Sequence, residues 1–316
     1  MIPDWMERGH PVADGYRLVV SVSGGKDSVA TCLHLMELGY TPDDYDRIFM
    51  DTGWESSRSY EYLREVLPSA IGPITWLRAE IPLDGDLEAL ALKYEARLGH
   101  YSSMVRRIIK HSSFPSRMAR WCTRALKLNP AKAFIRGVDA EPVNVVGIRG
   151  EESARRALMA EHEWSDGFDC WVWRPLIGWT FDDVVGIHQR HGLRPNPLYF
   201  EGSSRVGCWP CVFARKSEIK NTVETDPDRL AIIRDLERDV ALLLSAKRRE
   251  QGKPEREDPT WFQARTGRKG FWPIDKVAQW SRTSRGGRQF ELFSAAPRDA
   301  GCVRWGMCDL GGDGDG

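Results

Sequence analysis

Apolar residues in this chain fall in short runs that alternate with stretches of helical spacing. Leu18-Val19-Val20-Ser21-Val22 reads as a strand; a glycine turn follows, and Val29, Leu33 and Met36 then recur three and four apart, as on one helix face. Arg47 to Met50 reads as a second short strand running into Asp51-Thr52-Gly53. A helix is predicted from about Ser57 to Leu67, then a strand from Ile74 to Leu77. Helical stretches around 86–97 and 102–110 precede a strand from Val143 to Ile148. The alternation predicts an α/β fold with a doubly wound parallel sheet. In such sheets ligands lie beyond the carboxyl ends of the strands, where the glycine turn, Asp51-Thr52-Gly53 and Gly147-Ile148-Arg149 all fall.

The turn itself, Ser23-Gly24-Gly25-Lys26-Asp27-Ser28, carries the sharpest chemistry. Backbone N–H groups and the positive end of the helix face one point there, which suits a phosphate. Gly24 and Gly25 let the backbone approach an anion, the hydroxyls of Ser21, Ser23 and Ser28 surround it, and Lys26 adds charge. An ordinary glycine-rich turn is the bland alternative. The G-x-x-x-x-G-K-[ST] phosphate loop is not met, because no glycine stands at the required place before Gly25-Lys26.

At 316 residues the chain suits one large domain or a domain with an appended module, and its formal net charge is zero. No run of about 18 apolar residues offers a membrane span, and the first residues lack the apolar core of a signal peptide. The expectation is a cytoplasmic protein with no membrane partner. Seven cysteines there are expected to be thiols or metal ligands rather than disulfides.

SGGKDS resembles the PP-loop of the ATP pyrophosphatases, in which the loop holds the pyrophosphate end of ATP and the aspartate, here Asp27, belongs to the metal and phosphate site. Over about residues 16 to 218 the chain is similar to the phosphoadenosine phosphosulfate reductase family, through FMDTGWE at 49–55, WCTRALKLNP at 121–130, VVGIRGEES at 145–153, PLIGWTFDDV at 175–184 and NPLYFEGSSRVGCWPC at 196–211. That family holds sulfonucleotide reductases, adenylating enzymes that put sulfur into DNA or RNA, and phage-encoded members. Reductases usually have a degenerate phosphate loop and a Glu-Cys-Gly-[Ile/Leu]-His tail. This chain keeps the full loop and ends Gly301-Cys302-Val303-Arg304-Trp305-Gly306-Met307-Cys308-Asp309. The resemblance therefore implies ATP and Mg2+, with Lys26, Asp27 and Arg149 catalytic and Ser21, Ser23 to Ser28, Asp51, Gly147, Arg149 and Arg155 around the nucleotide. Arg149 and Arg155 either touch phosphate or pair with Glu151 and Glu152. Asp51 assists magnesium, bonds the nucleotide, or caps the next helix.

Cys208-Trp209-Pro210-Cys211 has a spacing that lets both sulfurs reach one metal or cluster. In the cluster-bearing reductases a Cys-Cys pair upstream completes a 4Fe-4S site, and here that pair has become Trp121-Cys122. The resemblance thus implies an iron-sulfur cluster on Cys122, Cys208 and Cys211, with Cys302 or Cys308 as fourth ligand. Zinc on Cys208, Cys211, Cys302 and Cys308, or unliganded thiols, are the alternatives. Cys32 and Cys170 read as buried small hydrophobes.

Arg117, Arg120, Arg124 and Lys127, if helical, form one cationic stripe: a solvated face or an anionic-substrate surface. Beyond Glu218 the pattern changes to a long helix over about 226–246, then a segment rich in glycine, proline and charge. Between Lys247 and Arg288 twelve Lys or Arg face five Asp or Glu, among scattered tryptophans and phenylalanines. These are the ingredients of a single-strand nucleic-acid surface, or of a small packed lobe. The division expected is 1–218, nucleotide domain with the cysteine site, and 219–316, a basic aromatic lobe. The functional expectation is adenylation of an acceptor with pyrophosphate release, in iron-sulfur-dependent sulfur transfer to a nucleic acid and with a sulfur donor such as a cysteine desulfurase. Sulfonucleotide reduction and non-catalytic nucleotide and metal binding are the alternatives.

Overall fold

A computed structural model describes residues 15–263 and 271–283. Six strands, β1 (Tyr16–Ser21), β2 (Tyr45–Asp51), β3 (Thr75–Arg78), β4 (Glu141–Val145), β5 (His162–Ser165) and β6 (Cys170–Trp173), form one sheet in the order β3-β2-β1-β4-β6-β5. Leu18, Val19 and Val20 are fully buried because β1 is central and covered on both faces, so the strand reads as an unbroken apolar run. Leu18 stands opposite Tyr45 of β2 and Val143 of β4. Four neighbouring pairs run parallel, as the strand–helix alternation predicts.

The edge departs from that expectation. β5 and β6 are antiparallel, joined by a tight turn in which Ser165 O accepts from the N–H groups of Phe168 and Asp169. A four-residue half-exposed strand such as His162–Ser165 has too little apolar periodicity to announce itself. Two helical stretches also differ from their predicted form. The helix opening at Ser57 contains a π turn, Tyr62–Val66, before closing with Leu67–Ile71. The stripe expected from Arg117 to Lys127 is not one helix: the preceding helix Ser103–His111 ends on Ser112 at φ 49°, Pro115 follows, and helix resumes only at Trp121–Thr123.

One core cluster packs the helix Lys26–Glu37 and the helix Phe181–Arg190 against β1 and β4. A second joins the helices Gly85–Leu98 and Ser103–His111 to residues beyond 218, including Ile233, Leu236, Trp261 and Val277. Trp54, just past β2, and Trp261 meet there with ring centroids 4.7 Å apart. The long helix Pro227–Glu250 starts where Asp226 accepts from Arg229 N at 3.0 Å, and its Glu237 carboxylate accepts from the backbone N–H groups of Trp261 and Ile274, each at 2.9 Å. No described helix is long and apolar enough to cross a membrane.

Candidate functional site

The chain leaves β1 at Ser21 and turns through Ser23 to Gly25 into the helix Lys26–Glu37. Gly24 holds φ +71°, and a Cβ there would meet Leu63 Cγ at 3.2 Å. The turn is knotted by its own serines: Ser28 Oγ accepts from Ser23 N at 3.1 Å and donates to Gly25 O at 2.9 Å. Ser23 Oγ, exposed at the mouth of the turn, stands 3.2 Å from Ser28 Oγ.

Asp27 draws two cations together. Lys26 Nζ donates to Asp27 Oδ2 and Arg149 Nε to Asp27 Oδ1, each at 2.5 Å. Lys26 is 9% exposed and Arg149 4%. Burial opposes the Arg149 charge, but the bond and field of Asp27 outweigh it, so the guanidinium pKa moves up. Arg149 also pairs with Glu151, whose side chain is 52% exposed and free to move into water. An arriving phosphate can thus replace Glu151 while Asp27 keeps both cations in place. Gly147 sets the spacing: a Cβ there would stand 2.6 Å from Thr31 Oγ1 and 2.7 Å from Asp27 O, so glycine lets the end of β4 lie against the loop helix.

Of the other residues expected here, Asp51 lies at the end of β2, where its Oδ1 accepts from Gly53 N at 2.8 Å and Tyr60 OH at 2.7 Å. It fixes the turn after β2 rather than capping the next helix. Arg155 is exposed in the short helix Ala154–Ala157 and has no partner among the described residues, so it is not drawn into the Asp27 cluster. Two groups were not anticipated. Tyr199 OH accepts from Lys26 N at 3.1 Å, and the fully buried His188 sets its two ring nitrogens 3.1 Å from Lys26 O and 3.1 Å from Leu193 O. Burial lowers the His188 pKa, and a neutral ring donates to one of those carbonyls only. Both come from segments more than 150 residues away, which local pattern cannot reveal.

Beyond the neighbouring strand β2 lies the sulfur site. Glu55 and Cys208 form an antiparallel bridge, and Trp209 N donates to Trp54 O at 2.8 Å. Cys208 Sγ donates to Glu55 Oε1 at 3.9 Å, and that buried carboxylate also accepts from Thr52 Oγ1 and Tyr60 OH. Burial pushes the Cys208 thiol up to about 12; the Lys127 ammonium pulls against it, while Glu55, Cys211 and Cys122 add to the rise. Burial likewise raises Cys122, with Cys211 as its nearest anionic influence, and Cys208 is the chief cause of the raised Lys127 pKa. Cys122, Cys208 and Cys211 pack against one core cluster, and each raises the Lys127 pKa. The donor chemistry, three thiols and a compensating ammonium, suits a thiolate-bound iron-sulfur cluster or zinc. Among the described residues, however, no three His, Cys, Asp or Glu side chains close into a metal-binding group, so the thiols are neighbours rather than a formed ligand set. Cys302 and Cys308 lie outside the described residues. Cys32 and Cys170 are buried, as expected.

Comparison with known proteins puts names to this arrangement. The phosphoadenosine phosphosulfate reductase domain matches residues 86–214, a span that holds Cys122, Cys208, Cys211 and Arg149 but not the loop at 23–28. An uncharacterised 37.8 kDa protein of Escherichia phage 186 is 32% identical over 332 residues, covering 92% of this chain and 96% of the phage protein. The adenosine 5'-phosphosulfate reductase of Allochromatium vinosum is 34% identical over 104 residues, 33% of this chain and 39% of that protein. A phosphoadenylyl-sulfate reductase structure from Candida auris, a phosphate complex, aligns with 61% of this chain and 81% of its own at 18% identity and a TM-score of 0.43. With the domain spanning the thiol site and a relative collinear along almost its whole length, the chain belongs to the phosphoadenosine phosphosulfate reductase family.

Proposed function

We propose that the chain binds ATP at Ser23 to Ser28 and transfers its adenylyl group to an acceptor, releasing pyrophosphate, as the activating half of sulfur transfer to a nucleic acid. The observation that carries this reading is the intact loop with Lys26 and Arg149 both held on Asp27 at its mouth. Those two cations and the N-terminus of the helix Lys26–Glu37 offset the charge that gathers on pyrophosphate as it leaves. An acceptor oxygen forms its bond to the α phosphorus, the bond to the β-phosphate oxygen breaks, and the acceptor proton leaves to solvent. The terminal sulfur of a donor persulfide, such as that of a cysteine desulfurase, then attacks the activated carbon, AMP departs, and a thiol reductant supplies the two electrons that cleave the S–S bond to the donor. Asp27 is the loop carboxylate that would hold a magnesium ion carried in on the phosphates, an ion that usually takes only one or two protein carboxylates and would offset phosphate charge.

In this reading Cys122, Cys208 and Cys211, with Cys302 or Cys308 as fourth ligand, would hold an iron-sulfur cluster. Such a group supplies a place for exogenous sulfur or a route for electrons. Lys127 balances its charge, and Glu55 with Trp209 holds the Cys208 segment on the end of β2. Iron and acid-labile sulfide in anaerobically prepared protein are the expected finding; iron-free protein containing zinc would sink the cluster.

Lys26→Ala removes one charge-assisted phosphate contact, worth about 1.5 to 3 kcal/mol, and is expected to weaken ATP binding roughly ten- to a hundredfold. Calorimetric titration with ATP checks this, and unchanged affinity would defeat the nucleotide assignment. Sulfonucleotide reduction is the second reading, favoured by the reductases among the relatives. Thiol-dependent sulfite release from adenosine phosphosulfate or its 3'-phosphate form, without pyrophosphate release from ATP, would establish it instead. Tight ATP binding with neither product would mark a nucleotide-binding regulator.

A further inference from the structure

Between Glu95 and Asp139 the sequence contains no acidic residue and ten Lys or Arg. Only part of this charge is neutralised in the fold. Arg97 pairs with Asp235, and Arg106 is clamped by Glu88 and Glu95 at 2.7 to 2.9 Å. Its neighbour Arg107 has neither a carboxylate partner nor an acceptor for its buried Nε among the described residues. The guanidinium instead lies 5.4 Å from the ring centre of Trp121.

The irregular segment from Ser113 to Arg120 continues this surface. Arg117 and Arg120 are exposed, have no carboxylate partner among the described residues, and flank the ring of Phe213 at 5.7 and 5.0 Å. Between them Met118 projects with 96% of its surface in water, the most exposed large apolar side chain among the described residues. Arg124, also exposed, follows on the next turn. The position is telling: Trp121 precedes Cys122 and Phe213 stands two residues after Cys211, so the patch rims the thiols themselves.

We propose that this rim is the seat of the acceptor, a single-stranded nucleic acid: the arginines hold successive phosphates, and Met118 and the arginine-flanked Phe213 ring give bases an apolar surface to stack on. The inference rests on the nucleic-acid reading of the acceptor and places it at residues 107–124 and 213, rather than only on the basic segment after Lys247. An acidic protein would need the charges but not an apolar tip set between them. A strand of nucleic acid uses both, since its phosphates alternate with stackable faces.

The test uses the full chain and a fluorescein-labelled 20-nucleotide single strand, as DNA and as RNA, read by anisotropy from about 50 to 300 mM salt. Wild type is expected to bind one of the two with a steep salt dependence. Arg117→Gln with Arg120→Gln should weaken binding at least about tenfold and flatten the slope by roughly 1.4, at about 0.7 per lost phosphate contact on a single strand. Met118→Ala alone should weaken it about threefold or more with the slope unchanged, the signature of lost stacking. All these side chains are exposed, and an unchanged thermal midpoint confirms folding. Wild type that ignores both strands, a double variant with wild-type affinity and slope, or polyglutamate competing as well as the strand at equal charge would each overturn the proposal. Lys26→Ala separates it from the ATP reading: strand binding that survives this change while ATP binding is lost supports the rim as an independent seat. Pyrophosphate release stimulated by a strand in the double variant as in wild type would sink the rim and leave adenylation standing.

Discussion

At the scale of single residues, the candidate site depends on small gaps as much as on charges. Gly147 has an ordinary backbone conformation, so its glycine is required by space alone: Thr31 Oγ1 and Asp27 O occupy the place of a side chain. Gly147→Ala is expected to push β4 off the loop helix, costing about 1 to 3 kcal/mol of stability and displacing Asp27 from Arg149. Urea unfolding and ATP titration of the same variant check both effects, and wild-type values in the two would show that the spacing is immaterial. The turn Ser23 to Ser28 is legible in the sequence because its signal is local: a strand, two glycines and a helix start are contiguous. The inward turn of Lys127 was not. The π turn Arg124–Leu128 adds a residue to the helical repeat, so spacing by three and four no longer keeps Arg124 and Lys127 on one face.

At the scale of elements, the long helix Pro227–Glu250 is bound to the segments after it by one buried carboxylate. Glu237 is 7% exposed, and burial raises its pKa from 4.5 to about 7 despite the two backbone N–H groups that it accepts. Because the folded state holds this proton more tightly than the unfolded chain, stability is expected to fall as pH rises from about 4.5 to about 7 and to level off above. At 1.4 kcal/mol per pKa unit the change is up to about 3 kcal/mol. Glu237→Gln keeps one acceptor, loses the other and cannot ionise. It should be less stable by about 1 to 3 kcal/mol at acid pH and show no slope from Glu237 in that window. Denaturation midpoints between pH 5 and 8 decide it: equal slopes in both proteins would show that Glu237 does not titrate there. The helix itself was readable from Leu230, Ile233, Leu236 and Val240, all buried. The clip was not, because it joins groups 24 and 37 residues apart through tertiary contact alone.

At the scale of the whole molecule, strand order places the glycine loop beyond β1 and the thiols beyond its neighbour β2. The parallel centre of the sheet followed from the apolar runs, and the nearness of Cys122 to Cys208 and Cys211 was implied by the family resemblance; the antiparallel edge and the neutralisation of Arg97 and Arg106 by distant acids needed three dimensions. Tyr199 spans the two sites. Its hydroxyl accepts from Lys26 N at 3.1 Å, a donor that an anion at the helix start would claim, and it and Val206, two residues before Cys208, both lie within 4 Å of the place a Cβ on Gly25 would take. On the proposed reading a nucleotide arriving there takes this N–H from Tyr199 and so loosens a tether beside the segment that carries Cys208 and Cys211. Linkage makes the effect reciprocal: filling or alkylating the thiols should alter ATP affinity by the factor with which ATP alters the thiols, about fivefold if one hydrogen bond of about 1 kcal/mol is exchanged. Tyr199→Phe should erase that difference while leaving both sites able to bind, and an undiminished difference in this variant would rule the tether out. On that reading the hydroxyl would act as a messenger, reporting to each half of the proposed reaction whether the other has its substrate.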